Sequence, residues 1–227
     1  MVPEELADLR MTYTAGALSR QDLAPAPGAQ FRAWFADAAA EPAVVEPNAM
    51  VLSTADADGS PSSRTVLLKG LADDGFRFFT NLASRKGRDL AANPAAALLF
   101  GWYALQRQVV VRGIVHPLGR QEVDAYFVSR PYGSRIGAWA SRQSEPAASR
   151  EAVEAREREL RQRWPDTGST TDVPLPEHWG GFRLAPAEVE FWQGRPSRLH
   201  DRLVFVAVDG TGRLEAAEDW RVERRWP

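Results

Sequence analysis

The sequence contains no cysteine. That excludes disulfide staples, thiolate nucleophiles, Cys-ligated zinc and iron–sulfur clusters, and it fits a reducing compartment. Lysine is nearly missing as well: of 28 basic residues only Lys69 and Lys86 are lysine, and both fall in segments that carry chemistry below. The histidines are His116, His178 and His200, and H-E-x-x-H is absent, so no metal site is expected. No segment offers the ~20 apolar residues of a spanning helix. The longest uncharged run, Ala91 to Gln106, is broken by Asn93, Pro94 and Gly101. Charge of one sign is not in excess either. Lys+Arg 28 oppose Asp+Glu 30, a net charge of -2, so nucleic acid and anionic membranes find no global positive field and any anion site must be local. The first thirty residues hold no apolar signal core, and a cytoplasmic location is expected. G-x-G-x-x-G, the P-loop pattern and G-x-S-x-G are all absent, which removes sequence support for dinucleotide, P-loop and serine-hydrolase sites.

What remains is a chain of 227 residues, 44% hydrophobic and 26% charged, with no repeat or low-complexity tract. From Met50 the pattern is β. Strands are predicted over Met50 to Thr54, Ser62 to Lys69 and Phe76 to Thr80, joined by turns at Asp56-Ala57-Asp58-Gly59 and Asp73-Asp74-Gly75. A helix over Ser84 to Ala92 stops at Asn93-Pro94, and strands over Ala96 to Trp102 and Arg107 to Val115 follow. Gly119 to Ser129 and Ser149 to Trp164 have helical period, with Pro131 ending the first. Strands return at Glu188 to Trp192, Leu199 to Val208 and Trp220 to Arg225. Hairpins on both sides of a helical insert predict an antiparallel barrel closed on itself with helices outside, mainly β with α.

Four constellations stand out. Ser84 is the expected N-cap of a helix whose first turn holds Arg85, Lys86 and Arg88. Cations there oppose the helix dipole by about 0.3–1 kcal/mol each unless an anion sits on the free N–H groups, so a phosphate is the expected occupant. In Ser63 to Lys69 alternation separates Arg64 from Lys69, so one of the two points inward and needs an anionic partner, a carboxylate or a ligand. Tyr126 and Arg130 share a helix face, with Ser134 just beyond, a plausible second phosphate clamp. If Arg198 to Arg202 is extended, Arg198, His200 and Arg202 project together and call for an electron-rich partner.

Taken together and in order, the motifs resemble the FMN-dependent pyridoxamine (pyridoxine) 5′-phosphate oxidases. The resemblance rests on L-R-x-x-Y-T, R-x-V-L-L-K, F-x-T-N-x-x-S-R-K, Gln106-Arg107-Gln108-Val109, Y-F-x-S-R-P, I-G-A-W-x-S-x-Q-S, W-G-G-F-R, E-F-W-Q-G and R-L-H-D-R, spread over some two hundred residues. It implies an FMN-binding split barrel, an antiparallel Greek-key barrel with flanking helices. Residues 1–45 would form an N-terminal helical segment and active-site flap, and residues 46–227 the barrel with C-terminal dimerisation strands.

The resemblance further implies a homodimer with FMN at the interface, acting on pyridoxamine or pyridoxine 5′-phosphate and O2. The FMN contacts it implies are Arg64, Thr65, Val66, Leu67, Leu68, Lys69, Phe79, Thr80, Arg85, Lys86, Gln108, Gln143, Ser144, Trp192 and Arg202. Substrate contacts would be Arg10, Met11, Thr12, Tyr13, Lys69, Tyr126, Arg130, Ser134, Arg198, Leu199 and His200, with Arg198 and His200 catalytic. Met11-Thr12 and Phe79 depart from residues common in the family, and Glu46 stands where some members carry an aspartate. The alternatives are a split-barrel oxidase of another aromatic ring, of phenazine type, and a non-catalytic flavin carrier.

Overall fold

A computed structural model of the chain describes residues 6, 8, 9 and 11–227. Local turn chemistry sets its first half. β1 (Ala49–Ala55) and β2 (Pro61–Leu67) are joined through Asp56, whose carboxylate accepts from the Asp58 and Ser60 N–H groups at 3.1 and 2.9 Å. β3 (Gly70–Ala72) and β4 (Gly75–Asn81) turn at Asp73-Asp74, and Gly75 has φ 138°, where a Cβ would stand 2.0 Å from the Leu184 carbonyl oxygen. β5 (Ala95–Trp102) and β6 (Arg107–Pro117) follow. β7 (Trp179–Gln193), β8 (Asp201–Ala207) and β9 (Trp220–Arg224) complete the sheet.

Every ladder is antiparallel, and the hydrogen-bonded order runs β2-β1-β5-β6-β7-β4-β3, with β8 on β7 and β9 on β8. β7 serves three neighbours. β6 lies along one edge, while on the other β4 pairs with Trp179 to Leu184 and β8 with Glu188 to Gln193. The sequence predicts only 188–192 of this strand. Most residues from Gly180 to Pro186 are buried irrespective of which way they face, so the alternation that marks a half-buried strand is missing.

The sheet curls, but it is split and not closed as the hairpin pattern suggests. β2 and β3 are the two ends of its path, and among the described residues no ladder joins β2 to β4. The reason lies at the end of β2, where Leu68 donates to the Asn48 carbonyl and Lys69 to that of Arg77, so the chain crosses from one lip of the split to the other.

Inside, α1 (Pro27–Ala40) lays Phe31, Trp34 and Ala38 on the sheet. The Phe31 ring meets Phe100 at 4.9 Å and Phe76 at 5.2 Å, and Trp34 meets Phe191 edge-on at 5.3 Å. Burying a side chain of this size stabilises by roughly 1.5–3 kcal/mol, so α1 shares one core with the barrel. α2 (Arg85–Ala92) closes the end of β1 through Leu90 and Asp89. Outside, α3 (Arg120–Val128), α4 (Tyr132–Ala140) and α5 (Arg150–Arg163) bury Phe127, Ile136 and Leu160 in a second cluster, with Trp139, Trp164 and Trp179 against it. Pro131 ends α3 as expected, yet it also caps α4, a helix that the sequence does not predict. Its φ of −53° suits a helix entry, where its missing N–H costs nothing.

Candidate active site

Where β4 ends and α2 begins, the backbone makes a nest of donors. Ser84 is the N-cap, as predicted: its hydroxyl accepts from Gly87 N–H at 3.3 Å and donates to the Asn81 carbonyl at 2.7 Å. Lys86 folds back over this turn. Its ammonium donates to Thr80 Oγ1 at 3.1 Å, Ser84 Oγ at 3.3 Å and Gln143 Oε1 at 2.6 Å, and all three acceptors are neutral. Burial and the neighbouring Arg64 therefore pull the Lys86 pKa down to about 8. Arg85 N–H donates to Ser144 Oγ at 3.1 Å, and Ser144 holds a left-handed φ of 75°, so the loop after α4 is seated on the same turn.

Arg64 is the inward cation of β2. It donates to the Leu52 carbonyl, Thr54 Oγ1 and Ser62 Oγ at 3.1, 2.8 and 2.5 Å. Its carboxylate partner is Asp89, which stands 3.8 Å away and accepts from Thr54 at 2.7 Å. The sequence requires such a partner without saying which one. Burial lowers the Arg64 pKa, with Asp89 opposing that shift and Arg85 adding to it.

These groups line a cleft of about 670 Å³ lying across the split, with β2 on one lip and β4 on the other. Of the predicted residues it gathers Arg64, Thr65, Val66, Leu67, Lys69, Phe79, Thr80, Arg85, Lys86, Tyr126, Arg130, Gln143 and Ser144. Phe79 stacks on Tyr126 at 3.8 Å and 12°. Burial lifts the Tyr126 phenol above its ordinary pKa against the pull of Arg130, so it stands as a hydrogen-bond donor. Leu68 belongs to the hydrophobic core, and Ser134, in the first turn of α4, is not on the cleft wall. Ser62, Ser63 and Trp179 line the cleft without having been predicted there, and Arg88, expected among the first-turn cations of the phosphate site though not among the FMN contacts, lines it too. For Trp179 the W-G-G-F-R motif was a usable signal. Ser62 and Ser63 were legible only through their strand neighbour Arg64.

A second group gathers elsewhere. Gln108, Trp192 and Arg202 are direct register partners across β6, β7 and β8, so they share one face of the sheet. Trp192 packs on His200 at 4.5 Å, and Tyr13 meets both rings edge-on at 5.9 and 5.4 Å. His200 Nδ1 accepts from Arg195 N–H at 3.1 Å, which leaves the ring proton on Nε2. Burial, then the Arg198 charge, hold its pKa below the ordinary value, so the imidazole is neutral near pH 7. The segment before Tyr13 is exposed at Met11 and Thr12, and Arg10 lies outside the described residues. After it, Thr14 and Ala15 N–H both donate to Gln106 Oε1, at 2.8 and 3.0 Å.

The extended reading of Arg198 to Arg202 is corrected. Pro196–Arg198 is a turn with Ser197 and Arg198 at φ 55° and 61°, and the strand starts only at Asp201. Arg202 needs no outside anion to balance it, because Glu190 takes it in a bidentate pair at 2.7 and 2.9 Å. Arg198 and Leu199 stay exposed on the turn.

A curled, split antiparallel sheet with a cation-lined cleft at the split is the FMN-binding split-barrel class. An FMN-binding protein of Nostoc punctiforme shares the fold at a TM-score of 0.67 and 18% identity, over 91% of this chain and 100% of that one. PhzG from Burkholderia lata, solved with tetrahydrophenazine-1-carboxylic acid, aligns at a TM-score of 0.80 and 31% identity, over 93% of this chain and 98% of that one. Residues 36–164 match the family described as pyridoxamine 5′-phosphate oxidase, and residues 179–227 the pyridoxine 5′-phosphate oxidase C-terminal dimerisation region. The pyridoxine/pyridoxamine 5′-phosphate oxidase of Kineococcus radiotolerans is 56% identical, over 99% of this chain and 100% of that protein; that of Cupriavidus necator is 54% identical, over 98% and 99%. The chain belongs to the pyridoxamine 5′-phosphate oxidase family.

Proposed function

We propose that this protein is an FMN-dependent oxidase that converts pyridoxamine and pyridoxine 5′-phosphate to pyridoxal 5′-phosphate. One observation carries the reading: two sets of cations, Arg85 and Lys86 in the first turn of α2, and Lys69 and Arg130 two residues beyond the ends of β2 and α3, share one cleft, and none of the four makes an ion pair among the described residues. Two phosphate esters are the natural complement.

The donor set fits FMN. A buried ammonium with only neutral acceptors, set at the N-terminal turn of α2 beside the Ser84 and Ser144 hydroxyls, matches a phosphate monoester. Arg64, Arg85, Lys86, Thr80, Gln143 and Ser144 would hold that end, with Gln108, Trp192 and Arg202 completing the site across a homodimer boundary. When bound, FMN supplies the two-electron acceptor for the hydride leaving substrate C4′, and the electrons end on O2 as H2O2. The alcohol substrate loses its hydroxyl proton in the same oxidation; the amine yields an imine that takes up water and releases NH3.

The protein's own share is positional and electrostatic. Lys69, Tyr126 and Arg130 anchor the substrate phosphate. Arg198 and His200 flank the ring, His200 offering Nε2–H, while Met11 to Tyr13 cover it as a flap. The likeness to PhzG raises a second reading, oxidation of a different aromatic ring. The unneutralised pair Lys69 and Arg130 favours a phosphorylated substrate over it.

The test is spectral. Purified protein should carry flavin absorbance that shifts on adding pyridoxal 5′-phosphate and not on adding pyridoxal. Equal response to both would sink the phosphate clamp, and folded protein unable to bind FMN would sink the oxidase reading.

A further inference from the structure

Arg130 and Trp179 meet in the wall of the cleft, and both carry buried polar hydrogens without a partner among the described residues. The Arg130 guanidinium lies over the Trp179 ring, 4.2 Å from its centroid, and 5.7 Å from that of Phe127. Arg130 Nη1 and Trp179 Nε1 are buried without a hydrogen-bond partner. Such atoms are uncommon in native proteins and each needs a reason. Among the described residues Arg130 forms no ion pair, whereas Arg107, which sits 4.5 Å over Trp34, also bonds Asp37 at 2.6 Å. Among the described residues a guanidinium lies over an indole three times: Arg107 over Trp34 with a carboxylate, and Arg130 over Trp179 and Arg163 over Trp164, at 4.9 Å, without one; of the three pairs, Arg130 and Trp179 line the cleft.

A carboxylate beside Arg130 would hold the side chain in place but cancel the charge a phosphate needs. An aromatic face holds a guanidinium and leaves its charge uncancelled. Trp179 is itself fixed: it pairs with Asn81 at the start of β7, its carbonyl accepts from Arg120 at 3.3 Å, and its ring packs on Phe127 at 6.0 Å.

Resting on the function proposed above, we infer that Trp179 is a positioning residue for the substrate: its indole face sets the Arg130 guanidinium, uncancelled, toward the substrate phosphate. The free indole N–H adds a donor in the same wall of the cleft. Trp179 thereby contributes to selection of phosphorylated over unphosphorylated vitamers, acting through Arg130.

The experiment uses the FMN-loaded enzyme and compares wild type with Trp179→Leu, Trp179→Phe, Arg130→Ala and the double variant Trp179→Leu/Arg130→Ala. Steady-state turnover gives KM and kcat for pyridoxine 5′-phosphate, and a flavin-absorbance titration gives the Kd of pyridoxal 5′-phosphate. Trp179→Leu should raise KM and Kd together by about three- to thirty-fold, the range a partly desolvated cation–π contact spans, with kcat and flavin content within about two-fold. Phenylalanine keeps a weaker ring face and should fall between wild type and leucine. In the Arg130→Ala background the Trp179→Leu change should add less than about two-fold, because its route is already gone. A full additive effect there, or unchanged KM and Kd in Trp179→Leu, overturns the inference. Should Trp179→Leu not fold, Trp179→Phe carries the same comparison, and full additivity with Arg130→Ala again overturns it. Arg130→Ala leaving KM unchanged would instead overturn the phosphate clamp on which the inference rests, so the two failures are told apart.

Discussion

Lys86 is a cation held by neutral oxygens, and that unusual state makes the proposed flavin site testable by protons alone. Its pKa in the ligand-free fold is about 8 against an ordinary 10.5. Between those values the unfolded chain binds more protons than the folded one, so ligand-free stability rises with pH through this window and is level below it. An arriving phosphate reverses the depression. FMN binding at pH 9 is therefore expected to take up as much as about one proton, and FMN affinity to fall as pH rises above 8. Calorimetry in two buffers of different ionisation enthalpy measures the uptake; none at pH 9 would contradict the role given to Lys86. Single-residue substitutions separate the two ends of the site. Arg85→Ala should lower FMN content while turnover per bound flavin stays near wild type, whereas Arg198→Ala should do the opposite; matched losses in both would break this division. At this scale the sequence was legible where chemistry is local, as at Ser84 and the cations after it. It was not legible for Arg202, because Glu190 lies 12 residues away and reaches it only through the register of β7 and β8.

The elements show the same division between local and distant causes. The β1–β2 and β3–β4 hairpins and α2 announce themselves through Asp-Gly turns, a serine cap and an Asn-Pro stop, all within a few residues. The first half of β7 and the whole of α4 do not, since one is buried on both faces and the other begins where a proline suggests an end. The turn into α2 is also the most tightly built piece of the site. A Cβ on Gly87 would stand 2.1 Å from the Leu82 carbonyl oxygen, which is backbone and cannot step aside. Gly87→Ala should thus destabilise by roughly 1–3 kcal/mol and weaken FMN retention. Ser84→Ala, removing the cap and one Lys86 acceptor, should cost about 1 kcal/mol. Thermal melts of the flavin-free proteins give both values, and an unchanged midpoint for Gly87→Ala would show that the turn is looser than its geometry implies.

At the scale of the whole molecule, the cleft at the split and the Trp192–His200 group lie on different parts of one chain, and a two-fold assembly would bring one to the other. The surface beside His200 suits that: Leu199 is 69% and Trp226 91% exposed, and the Trp226 carbonyl accepts from Arg202 at 3.1 Å. Exposed apolar groups of this size next to a site mark an interface. Sedimentation should give twice the 25.1 kDa chain mass, and removing Trp226 and Pro227 should shift the population toward monomer with loss of flavin. A monomer that retains flavin and turnover would contradict a shared site.

The proposed reaction is hydride removal from a phosphorylated vitamer held against a flavin. Anaerobic mixing of the FMN-loaded protein with pyridoxamine 5′-phosphate tests it most directly. The yellow absorbance should bleach in a single turnover, return on admitting O2 with formation of H2O2, and leave pyridoxal 5′-phosphate. Flavin that stays oxidised in the presence of saturating pyridoxamine and pyridoxine 5′-phosphate would contradict the account.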